Sequence, residues 1–142
     1  MAEQLRRVLI LDSDPDTLIA LQGIFEDAKM DTTITWDKAE ACQLIETVHY
    51  DLLLIGNHPP ELDPTAIIES LSYRGICPAV LILQTGISQS AAEHFRKVGA
   101  TGTISKRDSS VVLEHVKTAF ARMPPTTERK TIDRTRPLLR AS

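Results

Sequence analysis

Four short polar clusters stand out in the chain: Asp12-Ser13-Asp14, Gly56-Asn57-His58, Gln84-Thr85 and Lys106-Arg107. Two kinds of chemistry suit these residue types. Carboxylates such as Asp12 and Asp14 are the oxygen ligands that a hard divalent cation takes. A lysine such as Lys106 can hold anionic oxygens. His58 could in principle accept a phosphoryl group, but a loop histidine before Pro59-Pro60 is more often solvated. Asn57 is a poor nucleophile. Other chemistries lack their residues. No Gly-rich phosphate loop follows the first apolar run, and its aspartates put negative charge where a nucleotide phosphate would sit. His49, His94 and His115 are scattered without metal-ligand spacing and, with Trp36, read as surface or boundary residues. Cys42 and Cys77 form no C-x-x-C pair and read as reduced thiols.

The segments around these clusters explain how they could meet. Val8-Leu9-Ile10-Leu11 is a continuous apolar run, as are Leu52–Ile55 and Val80–Leu83. Runs that do not alternate belong to strands covered on both faces, as in a parallel sheet. Thr32–Thr35 and Thr101–Ser105 read as two weaker strands. Helical periodicity fills the gaps. Asp14-Pro15 is a cap followed by proline, leading into Leu18, Leu21, Ile24 and Phe25 on one stripe. Asp37 opens a second helix with Ala41, Leu44, Ile45 and Val48 inward. Asp63-Pro64 opens a third, closed by Gly75. The fourth starts at Ser88 or Ser90 and stops at Gly99. The fifth starts at Ser109 or Ser110, with Val112, Leu113, Val116 and Phe120 inward.

Strand and helix alternate five times, which predicts an α/β fold with a five-stranded parallel sheet and helices on both faces. In such folds, sites lie at the carboxyl ends of the strands, and all four polar clusters fall there. The chain has 142 residues, with 42% hydrophobic and 25% charged residues, which are globular values. One domain over residues 1–123 and a tail over 124–142 are expected. The tail holds five basic residues against two acidic ones, leaving residues 1–123 with 11 basic and 17 acidic, a formal −6. The whole chain carries −3 and only 4% aromatic residues, which disfavours nucleic acid and base stacking. No long apolar run or signal peptide is read, so the expected location is the cytoplasm, away from membranes.

At this point the sequence resembles the receiver domains of response regulators. Val8-Leu9-Ile10-Leu11-Asp12-Ser13-Asp14-Pro15 looks like their first strand and acidic turn. Asp51-Leu52-Leu53-Leu54-Ile55 looks like the third strand, and Pro60 like the proline of the following loop. Gly99-Ala100-Thr101-Gly102-Thr103-Ile104-Ser105-Lys106 resembles the Gly-Ala segment, fifth strand and terminal lysine. The likeness spans roughly residues 6–122 and implies the (βα)5 flavodoxin/CheY-like fold. It also implies a phosphorylation pocket: an acceptor aspartate, two acidic residues holding magnesium, a Ser or Thr, and a lysine.

This chain departs from that pattern at linked positions. The acceptor corresponds to Gly56, which has no side chain. The acidic pair corresponds to Asp12 and Ser13. The Ser/Thr position corresponds most closely to Leu83, with a register uncertainty that could bring in Thr85. The aromatic often found in the fifth strand corresponds to Thr103. Only Asp12 and Lys106 remain, and an ion pair between them across the emptied pocket is the expected arrangement. Asp12 alone would hold a metal weakly, so no cofactor is expected and no catalytic residue is assigned.

What the resemblance then implies is a non-enzymatic pseudo-receiver in a bacterial two-component pathway. It would act by protein–protein contact through its fourth helix, fifth strand and fifth helix, including Glu93, Arg96, Lys97, Thr103 and His115. A homodimer through this face is the other partner expectation. Two alternatives stay open: an acceptor relocated to Asp12, Asp14 or His58, and a small-ligand-binding doubly wound domain.

Overall fold

The structure is a computed structural model, and it describes residues 5–76, 78–86 and 89–123. Cys77, Ser88 and the basic tail lie outside the described residues. Strands and helices alternate as β1 (Arg7–Leu11), α1 (Pro15–Asp27), β2 (Asp31–Thr35), α2 (Lys38–Thr47), β3 (Leu52–Gly56), α3 (Pro64–Tyr73), β4 (Ala79–Gln84), α4 (Gln89–Val98), β5 (Gly102–Ser105) and α5 (Ser109–Ala121). The five strands form one parallel sheet in the order β2-β1-β3-β4-β5. This is the CheY-like arrangement. Strand order reverses between β1 and β3, so a crevice opens beyond their carboxyl ends.

Strand side chains alternate between two cores. Leu9, Leu11, Leu53, Ile55, Val80 and Ile82 pack with α2, α3 and α4. Val8, Ile10, Leu52, Leu54, Leu81 and Leu83 pack with α1 and α5. Both faces of the central strands are therefore dry, which explains why their sequences run apolar without alternation. The two weaker strands, β2 and β5, are the edges of the sheet, where fewer apolar neighbours are required.

Helix starts follow one device. Asp14, Asp37, Asp63 and Asp108 cap α1, α2, α3 and α5, each accepting a backbone N–H two residues ahead. A cap of this kind is worth about 1 kcal/mol. α5 begins at Ser109, one of the two expected starts, and Asp108 just before it is the cap, its carboxylate accepting from Ser110 N–H at the positive helix end. Gly75 and Gly99 close α3 and α4 at φ values of +79° and +120°, which side chains disfavour. Among the described residues no helix is long and apolar enough to cross a membrane.

Candidate functional site

β1 and β3 end side by side at the crevice and β5 ends beyond β4, and the loops after these three strands each deliver one polar side chain to it. Asp12, one residue past β1, is fully buried. Lys106, one residue past β5, reaches back so that Nζ lies 3.2 Å from Asp12 Oδ1 and 3.1 Å from Oδ2. The ammonium thus donates to both carboxylate oxygens. Asp14 N–H donates a further bond to Asp12 Oδ1 at 2.8 Å, so the turn after β1 is tied to the same carboxylate.

His58 completes the group, contrary to its expected place in solvent. Its Nε2 lies 3.0 Å from Asp12 Oδ1 and 2.8 Å from Lys106 Nζ. The cause is local backbone pairing. His58 and Leu62 exchange two backbone hydrogen bonds of 2.9 Å, which fold the loop back. Leu62 is buried in the core and anchors that loop. The ring nitrogen can serve one neighbour at a time. It accepts from Lys106 when its proton is on Nδ1, or donates to Asp12 when protonated at Nε2.

Gly56 ends β3 directly beneath this group. A Cβ at position 56 would lie 2.3 Å from Asp12 Oδ2, 2.7 Å from Asp12 Cγ and 3.1 Å from His58 Cδ2. No side chain fits there without displacing Asp12. The carboxylate of Asp12 therefore leans into the space a residue-56 side chain would need.

The remaining positions are less involved. The Leu83 side chain is fully buried in the α1/α5 core and offers no polar atom to the crevice, though its carbonyl accepts from Asn57 N–H at 3.0 Å. Thr85 is exposed beyond the end of β4. The residue that actually joins the crevice loops from β4 is Gln84, whose Oε1 accepts from Asn57 Nδ2 at 3.1 Å. Its sequence signal was a polar residue at the end of an apolar run. Thr103 sits away from Asp12, and its Oγ1 is buried with no hydrogen-bond partner among the described residues. Ser13 is exposed.

Asp14 is occupied elsewhere. Its Oδ2 accepts from Thr17 Oγ1 at 2.9 Å and its Oδ1 from Asp16 N–H at 3.1 Å. The Thr17 hydroxyl is the main reason that the Asp14 carboxyl titrates below the usual carboxylate range, with Lys106 adding a smaller pull. A depressed folded pKa means that the ionised cap supports the fold fully above the ordinary carboxylate range. That support fades as pH falls through the lowered value. Thr17→Val is expected to move the Asp14 pKa back up in an NMR pH titration, leaving the other caps unchanged.

The donor set does not fit a magnesium ion. Such an ion asks for near-octahedral oxygen ligands. Here both oxygens of Asp12 already accept from Lys106, Ser13 is neutral, and Asp14 caps α1. Among the described residues no cluster of three or more His, Cys, Asp or Glu side chains could hold a metal.

Comparison with known proteins places this geometry. The family model described as response regulator receiver domain matches residues 8–117. The Francisella response regulator 1452 receiver domain superposes with a TM-score of 0.76 at 27% identity, covering 82% of this chain and 98% of that one. A CheY-like receiver domain protein from Methanospirillum hungatei JF-1 gives 0.72 at 23% identity, covering 82% and 94%. The beryllofluoride-activated NtrC4 receiver domain dimer gives 0.73 at 21% identity, covering 81% and 96%. A search of curated proteins found no match. With the family model covering most of the chain and the same parallel sheet in its structural neighbours, the chain belongs to the response regulator receiver domain family of two-component signalling.

Proposed function

We propose that this receiver domain signals without being phosphorylated, acting as a pseudo-receiver that binds a partner protein. One observation carries the reading. At the end of β3, where the resemblance sets the phospho-acceptor, stands Gly56, and the space above it is taken by Asp12. Asp12 is in turn held by Lys106 and Asp14. The reading is supported by the absence of a side chain at position 56, by a donor set that does not fit a metal, and by the closing of the pocket by its own residues. Degenerate positions in this reading are Asp12, Ser13, Gly56, Thr103 and Lys106, with Gln84 taking the place first given to Leu83 or Thr85.

The output surface in this proposal is α4, β5 and α5. Glu93, Arg96, Lys97 and His115 are exposed there, and Thr103 is half-buried between them. The NtrC4 receiver domain dimer supports a second copy of the chain as one candidate partner.

A relocated acceptor is the competing reading, and it has an observation in its favour: His58 Nε2 lies within hydrogen-bond distance of Asp12 and Lys106. Intact-protein mass after incubation with acetyl phosphate and magnesium separates the two. The expected result is an unchanged mass. A phosphoryl adduct mapped to His58, Asp12 or Asp14 would overturn the proposal, as would binding to a histidine kinase that depends on phosphorylation.

A further inference from the structure

The outer edge of β5 carries a groove of about 430 Å³, set between α4 and α5. Its lining is chemically one-sided. Arg96 enters from the last turn of α4, His115 from α5 and Arg122 from the C-cap of α5, while no carboxylate is among the described lining residues. His115 and Arg122 are seven residues apart, two helical turns, and so share one face of α5. Two guanidiniums with no carboxylate beside them contrast with the domain as a whole, where 17 acidic residues face 11 basic ones over residues 1–123.

Two further features point to a ligand. Thr103 lines the groove, and its buried Oγ1 has no hydrogen-bond partner among the described residues. Such an atom costs free energy unless a partner reaches it. β5 is also the last strand of the sheet, so its outward backbone groups are available to an added extended segment. Leu81 and Met123 supply apolar surface in the same groove.

We infer that this groove receives an extended, carboxylate-bearing segment of a partner protein. This inference rests on the protein-binding reading above and names the chemistry of its partner. The guanidinium forks of Arg96 and Arg122 take the carboxylates, which they can hold bidentately. The Thr103 hydroxyl donates to an oxygen of the segment, and aliphatic side chains cover Leu81 and Met123.

The test uses the full chain, isotopically labelled, with short end-blocked peptides of glutamate, leucine and glycine. Counterparts carry glutamine or lysine in place of glutamate, and a single-stranded DNA oligonucleotide is a further probe. NMR shifts are expected over Thr101–Ile104 and the facing turns of α4 and α5. The glutamate peptide should bind about fivefold or more tighter than the glutamine one at low salt, and less so at high salt. Arg96→Glu with Arg122→Glu, both exposed positions, should reverse the ranking in favour of lysine. Thr103→Tyr should block the groove, with circular dichroism confirming the fold. Equal binding of glutamate and glutamine peptides, shifts elsewhere, an unchanged ranking in the arginine variant, or preference for DNA would each overturn the inference. Phosphoryl uptake would sink the earlier reading while leaving the peptide ranking intact. An unchanged mass with no peptide ranking would sink this inference alone.

Discussion

Asp12→Ala is expected to destabilise the domain by about 3–5 kcal/mol, the scale for removing one partner of a buried ion pair. Two groups lose their acceptor together. Lys106 Nζ, whose side chain is 10% exposed, is left with His58 alone. The Asp14 N–H loses its 2.8 Å bond to Asp12 Oδ1 at the entrance to α1. Neither loss is repaired by bulk water, because Asp12 is fully buried. Chemical denaturation would show a lower midpoint with an unchanged slope. A second variant, Asp12→Ala combined with Lys106→Met, identifies the cause. If the penalty comes from the orphaned ammonium, the double variant recovers a large part of the lost stability, since a buried pair replaced by apolar groups is often close to neutral. A double variant no more stable than Asp12→Ala would show that the loss lies in the turn after β1.

The central strands were readable because both of their faces are buried, which leaves an uninterrupted apolar run in β1, β3 and β4. Edge strands lack that signature, and the β-branched content of Thr32–Thr35 had to stand in for it in β2. The caps at Asp14, Asp37 and Asp63 were legible for a local reason: aspartate before a helical period satisfies an N–H two residues away. The ion pair between Asp12 and Lys106 could be foreseen once both residues were set at the same, carboxyl edge of the sheet. The position of His58 could not. Its ring points into the crevice because the backbone of His58 pairs with Leu62, a contact four residues long that leaves no trace in periodicity. Gln84 stood in the strand-end cluster with Thr85, but the Ser/Thr position was set on Leu83 or Thr85 for a related reason. Side chains of a strand alternate between faces, so an uncertainty of one residue exchanges a core position for a crevice position.

Gly56→Asp, the substitution that places a carboxylate at the end of β3, is expected to create no phosphate acceptor when made alone. The new Cβ would meet Asp12 Oδ2 at 2.3 Å and Asp12 Cγ at 2.7 Å, so Asp12 must swing away from Lys106 and from the Asp14 N–H. Overpacking of this kind costs about 1–3 kcal/mol, and a second carboxylate beside the first adds like-charge repulsion. Gly56→Ala isolates the steric part and should be less damaging than the aspartate. Adding Ser13→Asp to Gly56→Asp changes the balance. Three carboxylates then share the crevice, and a magnesium ion that neutralises them binds only the folded state. Magnesium should accordingly raise the melting temperature of the double variant, while leaving the unmodified chain unaffected. Acetyl phosphate should label the double variant in the presence of magnesium and Gly56→Asp weakly or not at all. Full labelling of Gly56→Asp alone, with stability equal to that of the unmodified chain, would show that Asp12 does not close the pocket. Glycine at position 56 would then account by itself for an unlabelled chain.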